Sequence, residues 1–183
     1  MELMLIRQKH KILLLLAFLA SACEIPLGSP NARLEIDEEK YSLLTSQTYY
    51  EAHVSSDRYR LIRIDIPSIY TNKLRVPVYF AGCDPPNGSI LQRNDGRDWE
   101  LAYSPLHLLC LSPAVKVLPG ESIALPPSIV ACFPGQNCGP EFREAIDGVY
   151  RLLQHVYFDP EGKELIPEAE RVSNAFELCI VPG

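Results

Sequence analysis

Residues 60–66 read Arg-Leu-Ile-Arg-Ile-Asp-Ile, and this stretch indicates the class of fold. Its side chains alternate with a period of two, which is the pattern of a β-strand that buries one face. The face predicted to be buried carries Arg60, Ile62, Ile64 and Ile66, and the other face carries Tyr59, Leu61, Arg63 and Asp65. We therefore expect a strand that lies against a hydrophobic core.

Further strands are predicted along the chain, with turn signals between them. Their apolar positions are Leu74, Val76, Val78 and Phe80, then Trp99, Leu101 and Tyr103, then residues 149–158, then Phe176, Leu178 and Ile180. Turns are predicted at 67–72, 94–98 and 159–162. The one helical candidate is 140–146, where Pro140 suits a helix start. This pattern predicts an all-β fold, an antiparallel β-sandwich with one short helix.

Several segments resemble the immunoglobulin-like modules of bacterial envelope proteins. They are Asn72 with the following VPVYFAGC (76–83), Trp99-Glu100-Leu101, LPGES (118–122) and GVYRL (148–152). The layout, over roughly residues 58–181, is loosely similar to the BsuPI-type proteinase-inhibitor domain. Residues 147–150 resemble the tyrosine corner of such folds. The resemblance implies an immunoglobulin-like sandwich, and it suggests protease inhibition as one candidate function.

The N-terminal segment has the features of an export signal. A basic region precedes the apolar run 12–20, which is too short to cross a bilayer core of about 30 Å. The sequence Leu-Ala-Ser-Ala-Cys at 19–23 resembles the lipobox of bacterial lipoproteins, which implies cleavage after residue 22 and fatty acylation of Cys23. The alternative is an ordinary secretory signal.

The expected organisation is a signal peptide over 1–22, a lipidated cysteine with a flexible tether over 23–38, and a β-sandwich domain over 39–183. Leu34 and Ile36 alternate, so an early edge strand is the alternative to a tether. By analogy with lipoprotein sorting, Glu24 after the cysteine favours the outer membrane in an organism with two membranes.

Six cysteines in an exported chain predict disulfides. With Cys23 lipidated, we predict the pairs Cys83–Cys110 and Cys132–Cys138, with Cys179 left as a buried free thiol. The main rival pairs Cys179 with Cys132 or Cys138. A zinc site is disfavoured because the spacing of residues 132 and 138 does not match the usual ligand pairs.

The sequence contains no catalytic motif, and we expect no metal or cofactor. Removal of residues 1–22 leaves 14 basic and 22 acidic residues, a net charge of −8, which argues against nucleic-acid binding.

We expect a non-enzymatic, lipid-anchored envelope module that binds an envelope protein, with contact loops at 84–98 and 133–141. The candidate surface residues are Trp99, Phe133, Gln136 and Asn137. Two alternatives remain open: a protease inhibitor acting through loop 132–138, and a carbohydrate-binding domain or cryptic hydrolase.

Overall fold

The computed structural model describes residues 34, 36–56, 60–80, 89–105, 112–136, 138–143 and 146–182. Within these ranges the chain forms thirteen strands and a single 3₁₀ turn, which confirms the all-β, sandwich-like class. The strands are β1 (Leu43–Thr45), β2 (Tyr49–Val54), β3 (Leu61–Asp65), β4 (Ser68–Thr71), β5 (Val78–Phe80), β6 (Ile90–Asn94), β7 (Trp99–Tyr103), β8 (Val115–Val117), β9 (Ser122–Leu125), β10 (Ser128–Cys132), β11 (Gly148–Leu153), β12 (Val156–Tyr157) and β13 (Phe176–Pro182), and the 3₁₀ turn is Glu168–Glu170. Leu34–Gly183 form one compact unit.

The strands form one large sheet and two small ones. The large sheet has the order β10-β3-β2-β13-β11-β6-β7, and the small sheets have the orders β1-β4-β9 and β12-β5-β8. The small sheets are in contact, since Tyr70 of β4 packs edge-on against Phe80 of β5 with ring centroids 5.2 Å apart. Strands β2 and β13 run parallel, which departs from the expected antiparallel arrangement.

A continuous antiparallel ribbon links the large sheet to the first small sheet. Residues 61–71 pair with residues 122–132 through β3–β10 and β4–β9, and the register does not shift between these two pairs. Pro67, Pro126 and Pro127 lie at the junction and interrupt the ladder because proline has no N–H to donate. The amide of Ile66 still donates to the Pro127 carbonyl at 2.7 Å, so pairing continues across the junction.

The core contains a chain of five aromatic rings. Tyr50, Phe176, Tyr150, Phe142 and Tyr103 contact one another in that order, with centroid separations from 5.3 to 6.5 Å. All five are buried. Edge-to-face and offset contacts of this kind add to the free energy gained by burial.

Three sequence predictions about strands need correction. Residues 67–72 are not a turn, because Ser68 and Tyr70 are buried and β4 pairs with strands on both sides. The strand predicted from Leu74 begins only at Val78, and Val76 is exposed. The strand predicted over 149–158 is divided into β11 and β12. The strands predicted at 99–103 and 176–180 and the turns at 94–98 and 159–162 are confirmed.

Arg60 is exposed rather than part of the buried face predicted for 60–66, and its φ is +43°. The isoleucines of that face are buried as predicted. Arg60 falls outside the pattern because β3 begins after it, at Leu61.

The helix predicted over 140–146 is wrong where the structure describes these residues. The amide of Phe142 donates to the Cys132 carbonyl at 3.2 Å, and the amide of Arg143 donates to the Ala102 carbonyl at 3.0 Å. Residues 140–143 therefore form an extended segment that joins β10 to β7, the two edge strands of the large sheet. Phe142 anchors it in the core, and this tertiary packing overrides the local helix signal.

The prediction that Cys179 is a free thiol is also wrong, because it is disulfide-bonded. Cys132 and Cys138 are bonded to each other, so the partner of Cys179 is not among the described residues. The predicted Cys83–Cys110 pair and the predicted lipid attachment at Cys23 also lie outside the described residues. The spacing of cysteines in the sequence carries no information on the partner, which explains the error.

Candidate functional site

The Cys132–Cys138 disulfide closes a short loop at the end of β10. The sulfur atoms are 2.09 Å apart and the Cα atoms 6.1 Å apart, which confirms the predicted pair. Within the loop the chain reverses, since the amide of Gln136 donates to the Phe133 carbonyl at 3.2 Å. Gly135 has a φ of +81°, a conformation that glycine adopts without steric cost. The loop over 132–138, called the disulfide loop below, thus has a compact turn at its apex.

Hydrogen bonds fix the base of the disulfide loop. The amide of Cys132 donates to the Pro140 carbonyl at 2.7 Å. The carboxylate of Glu141 accepts a hydrogen bond from the amide of Gly135 at the apex. The covalent link, the base and the apex are therefore all restrained, so a partner would bind this loop with little loss of chain entropy.

An arginine–aromatic pair lies beside the loop. The guanidinium carbon of Arg60 is 4.1 Å from the centroid of the Phe133 ring, within the range of a cation–π contact. The Phe133 amide donates to the Arg60 carbonyl at 3.2 Å. The positive φ of Arg60 lies in the left-handed region, which is uncommon for residues other than glycine. Arg60 is exposed and Phe133 is half-buried, so both are accessible to a partner.

Trp99 lies at the start of β7 and is half-buried. The guanidinium carbon of Arg151 is 4.8 Å from its ring centroid. Two further contacts hold Arg151 in place: its Nε donates to Gln92 Oε1 at 2.7 Å, and its Nη2 lies 2.5 Å from Glu168 Oε1. One face of the indole is therefore occupied, and a sugar ring would have to stack on the other face.

The structure brings together only part of the predicted binding surface. Phe133 and Gln136 share the apex turn of the disulfide loop. Trp99 belongs to a separate cluster on β7, β6 and β11, centred on Arg151. Asn137 lies outside the described residues, as do Cys83, Cys110 and residues 84–88 of the other predicted contact loop.

Sequence reasoning missed a row of side chains across the second small sheet. Tyr157 of β12 is paired with Tyr79 of β5, and Tyr79 is paired with Lys116 of β8. Leu165 pairs with Tyr157 on the other side. The alternation of side chains along β5 could be seen in the sequence. The register of β5 with β12 and with β8 could not, because these strands are distant in the chain, so no local signal could have predicted this row.

Metal binding and the ionisation of the buried tyrosines can both be judged for the described residues. None of their His, Cys, Asp and Glu side chains form a group of three or more that could hold a metal. Burial, with a smaller contribution from the Glu170 carboxylate, raises the pKa of Tyr70, and burial raises the pKa of Tyr103. These phenols therefore stay protonated and act as core side chains.

No helix in the described part is long and apolar enough to cross a membrane.

Comparison with protein-family models, with curated proteins and with solved structures found no match for this chain.

Proposed function

We propose that this chain is a lipid-anchored cell-envelope protein whose β-sandwich domain binds another envelope protein through the disulfide loop. The observation that supports the loop best is its restraint at base and apex, by the Cys132–Cys138 bond and by the Glu141 carboxylate. The lipobox at Cys23 supports the anchor, and Glu24 supports the outer membrane where two membranes exist. No catalytic step and no cofactor belong to this proposal.

The side chains at the loop suggest which chemical groups a partner surface would present. Phe133 and Arg60 belong to residue types that dominate the binding energy of protein interfaces, since aromatic and arginine side chains are enriched there. A matching surface would present an apolar pocket for the ring and a carboxylate for the guanidinium. The stacked pair is fixed before binding, so little side-chain entropy is lost on association.

The shape of the apex favours this function over protease inhibition. A segment that lies along a protease cleft as an added strand must be extended. The bond from the Gln136 amide to the Phe133 carbonyl makes the apex a turn instead. Inhibition remains the second candidate because the loop is restrained at base and apex and Gly135 at the apex is exposed. Titration of the mature chain against a panel of serine and cysteine proteases tests it, and full protease activity at micromolar concentrations of the chain would exclude it.

The binding function is tested by affinity capture from a cross-linked envelope extract, with the mature lipidated chain as bait. Phe133→Ala combined with Gln136→Ala should abolish enrichment of the partner. A matched control combines Tyr49→Ala with Gln47→Ala, which removes the same two kinds of side chain, here from exposed positions outside the loop. With the purified partner, Phe133→Ala should weaken the Kd by about tenfold or more, the range of an interface hot spot. Equal loss in both double variants, or no loss in either, would refute the assignment of the loop.

A further inference from the structure

Two arginines at the start of β3 lie beside the end of β10 that carries the disulfide loop. Arg63 is paired with Val130, two positions before Cys132, and directly paired residues of antiparallel strands project from the same face of the sheet. Both side chains are exposed, Val130 by 40%. Arg60 lies just beyond Cys132, since its carbonyl accepts a hydrogen bond from the Phe133 amide. The two arginines therefore flank the start of the disulfide loop.

A third arginine approaches the loop from the opposite edge of β10. Cys132 is paired with Leu61 of β3 on one side and bridged to Glu141 on the other. Phe142 is buried in the core, and side chains alternate along an extended segment, so Arg143 projects away from the core. Its side chain is exposed. Arginines thus lie on both sides of the strand end that carries the loop.

The three guanidinium groups are available for a partner. None of them forms an ion pair with a residue that the structure describes. The carboxylate closest to them in the chain, that of Glu141, accepts the hydrogen bond from the Gly135 amide. By contrast, the guanidinium of Arg151 is paired with Glu168. A guanidinium has five N–H donors, so these three groups keep donors that a carboxylate can accept from.

The charge around the loop is opposite in sign to that of the whole chain. Over residues 60–63 and 128–143 the charged side chains are the three arginines and Glu141, which sum to +2. Residues 23–183 sum to −8, so the rest of the chain carries −10. Asp65, farther along β3, is paired with Ser128 and accepts a hydrogen bond from its hydroxyl. Positive charge is therefore gathered at the disulfide loop of an otherwise acidic chain.

We propose that the partner bound by the disulfide loop presents an acidic protein surface to Arg60, Arg63 and Arg143. This inference rests on the proposed function, because it names the chemistry of the partner for the same site. Complementary charge steers an encounter and sets its orientation, and a basic partner would instead be drawn to the acidic remainder of the chain. Arginine also forms two parallel hydrogen bonds with a carboxylate, which gives the contact a defined geometry.

The extent of the positive region favours a protein over an anionic membrane. The arginines lie around one loop, and the acidic remainder of the chain surrounds them in sequence. An anionic bilayer is an extended surface, so it would face that acidic remainder as well and be repelled by it. An acidic patch on a protein needs to meet only the loop and its neighbours. Phe133, half-buried beside Arg60, supplies an aromatic anchor that a protein pocket can accept.

The test exposes the mature lipidated chain to a random library of twelve-residue peptides displayed on phage. Peptides that also bind the variant with Phe133→Ala and Gln136→Ala are discarded, so the peptides that are kept require the loop. Aspartate and glutamate should be enriched over lysine and arginine among them. Arg63→Gln with Arg143→Gln should then weaken the Kd of a selected acidic peptide by about threefold to tenfold, the range expected for two exposed ion pairs.

The matched control is Arg75→Gln with Arg97→Gln. It removes the same charge from two exposed arginines outside β3, β10 and residues 140–143, and it should leave the Kd unchanged. Higher salt should weaken the peptide's binding to the unaltered chain and should weaken its binding to the Arg63→Gln, Arg143→Gln variant less, because that variant has fewer charges to screen.

The outcomes separate this inference from the proposed function. A library that yields no loop-dependent peptide would overturn the binding loop and this inference with it. Loop-dependent peptides without acidic enrichment, or equal loss of affinity in the two double variants, would overturn this inference alone. A short-chain phosphatidylglycerol that displaces the peptide at a lower concentration than unlabelled peptide does would assign the arginines to an anionic lipid, and that result would also overturn it.

Discussion

Removal of the Cys132–Cys138 bond is the perturbation whose magnitude follows most directly from the structure. The two residues are separated by 6 positions, so the cross-link closes a small loop in the unfolded chain. The loop-entropy relation gives about 8 cal/mol/K for a ring of this size, or about 2 kcal/mol of stability at 25 °C. Replacement of both residues by alanine is preferable to serine, because Cys132 is buried and a serine hydroxyl there would be desolvated.

The expected result is a loss of about 2 kcal/mol in the free energy of unfolding, measured by urea titration of the mature chain. The melting temperature should fall by about 4–8 °C for a domain of this size. Arg143→Ala is the control, because its exposed side chain lies next to the loop and its loss should change stability by less than about 0.5 kcal/mol. Hydrogen exchange should accelerate at the Gly135 amide and stay slow at core amides such as Ile64.

Two results would refute this reasoning about the loop. A loss well above 4 kcal/mol would mean that the disulfide loop contributes packing to the core, and the loop would then not be an independent binding element. Unchanged exchange at Gly135 would mean that hydrogen bonds alone fix the apex, and the disulfide would not be what preorganises the site. A loss of about 2 kcal/mol in the free energy of unfolding, together with faster hydrogen exchange at the Gly135 amide, would agree with a disulfide that restrains the loop alone.

Three further predictions follow from buried or fixed groups. Phe142→Ala should cost about 3–5 kcal/mol in chemical unfolding, because the ring is fully buried between two tyrosines; a cost below about 1 kcal/mol would contradict its place in the core. Backbone amides of Asp98 and then Arg97 donate to the Asp95 carboxylate and hold its pKa below the ordinary value. The ionised Asp95 carboxylate therefore stabilises the folded chain above the unfolded-state pKa, and this stabilisation is lost as the pH falls through the lowered folded-state pKa. Asp95→Asn should therefore make the free energy of unfolding depend less on pH in the acid range, and an unchanged dependence would refute this. Non-reducing peptide mapping should link Cys179 to Cys83 or Cys110, and a link to the predicted lipid-attachment cysteine would rule out the anchor.

Period-two alternation predicted strands well where a single face is buried. The isoleucines of 62–66 and the apolar positions of 176–180 lie in strands, as their alternation indicated. Prediction from local sequence failed where the conformation of a segment depends on strands that are distant in the chain. Residues 67–72 contain Pro, Ser, Thr and Asn and carry a turn signal, yet strands β1 and β9 on either side hold them extended. Turn propensity is local, whereas sheet pairing is not, and here the pairing dominates.

The residues of the candidate site show the same limit. The disulfide loop was predictable because two cysteines flank a short stretch containing Pro and Gly, and such a stretch can close locally. Arg60 was not predictable as a partner of Phe133, since the contact requires the pairing of β3 with β10. The hydrogen bonds of the buried Asn72 side chain were equally hidden, because its partners include the carbonyl of Val117, 45 positions away. Local chemistry can be read from sequence, but geometry that depends on register cannot.

The ribbon connects the hydrogen bonds around Asn72 to the disulfide loop. It extends over residues 61–71 and 122–132, so its ten residue steps correspond to roughly 30 Å of strand. One end is tied to Asn72, where the amide of residue 72 donates to the Glu121 carbonyl, and the other end is closed by Cys132. Because the register is continuous across the proline junction, backbone hydrogen bonds couple the two ends of the ribbon, and the position of the disulfide loop relative to Asn72 is set by the pairing of the strands.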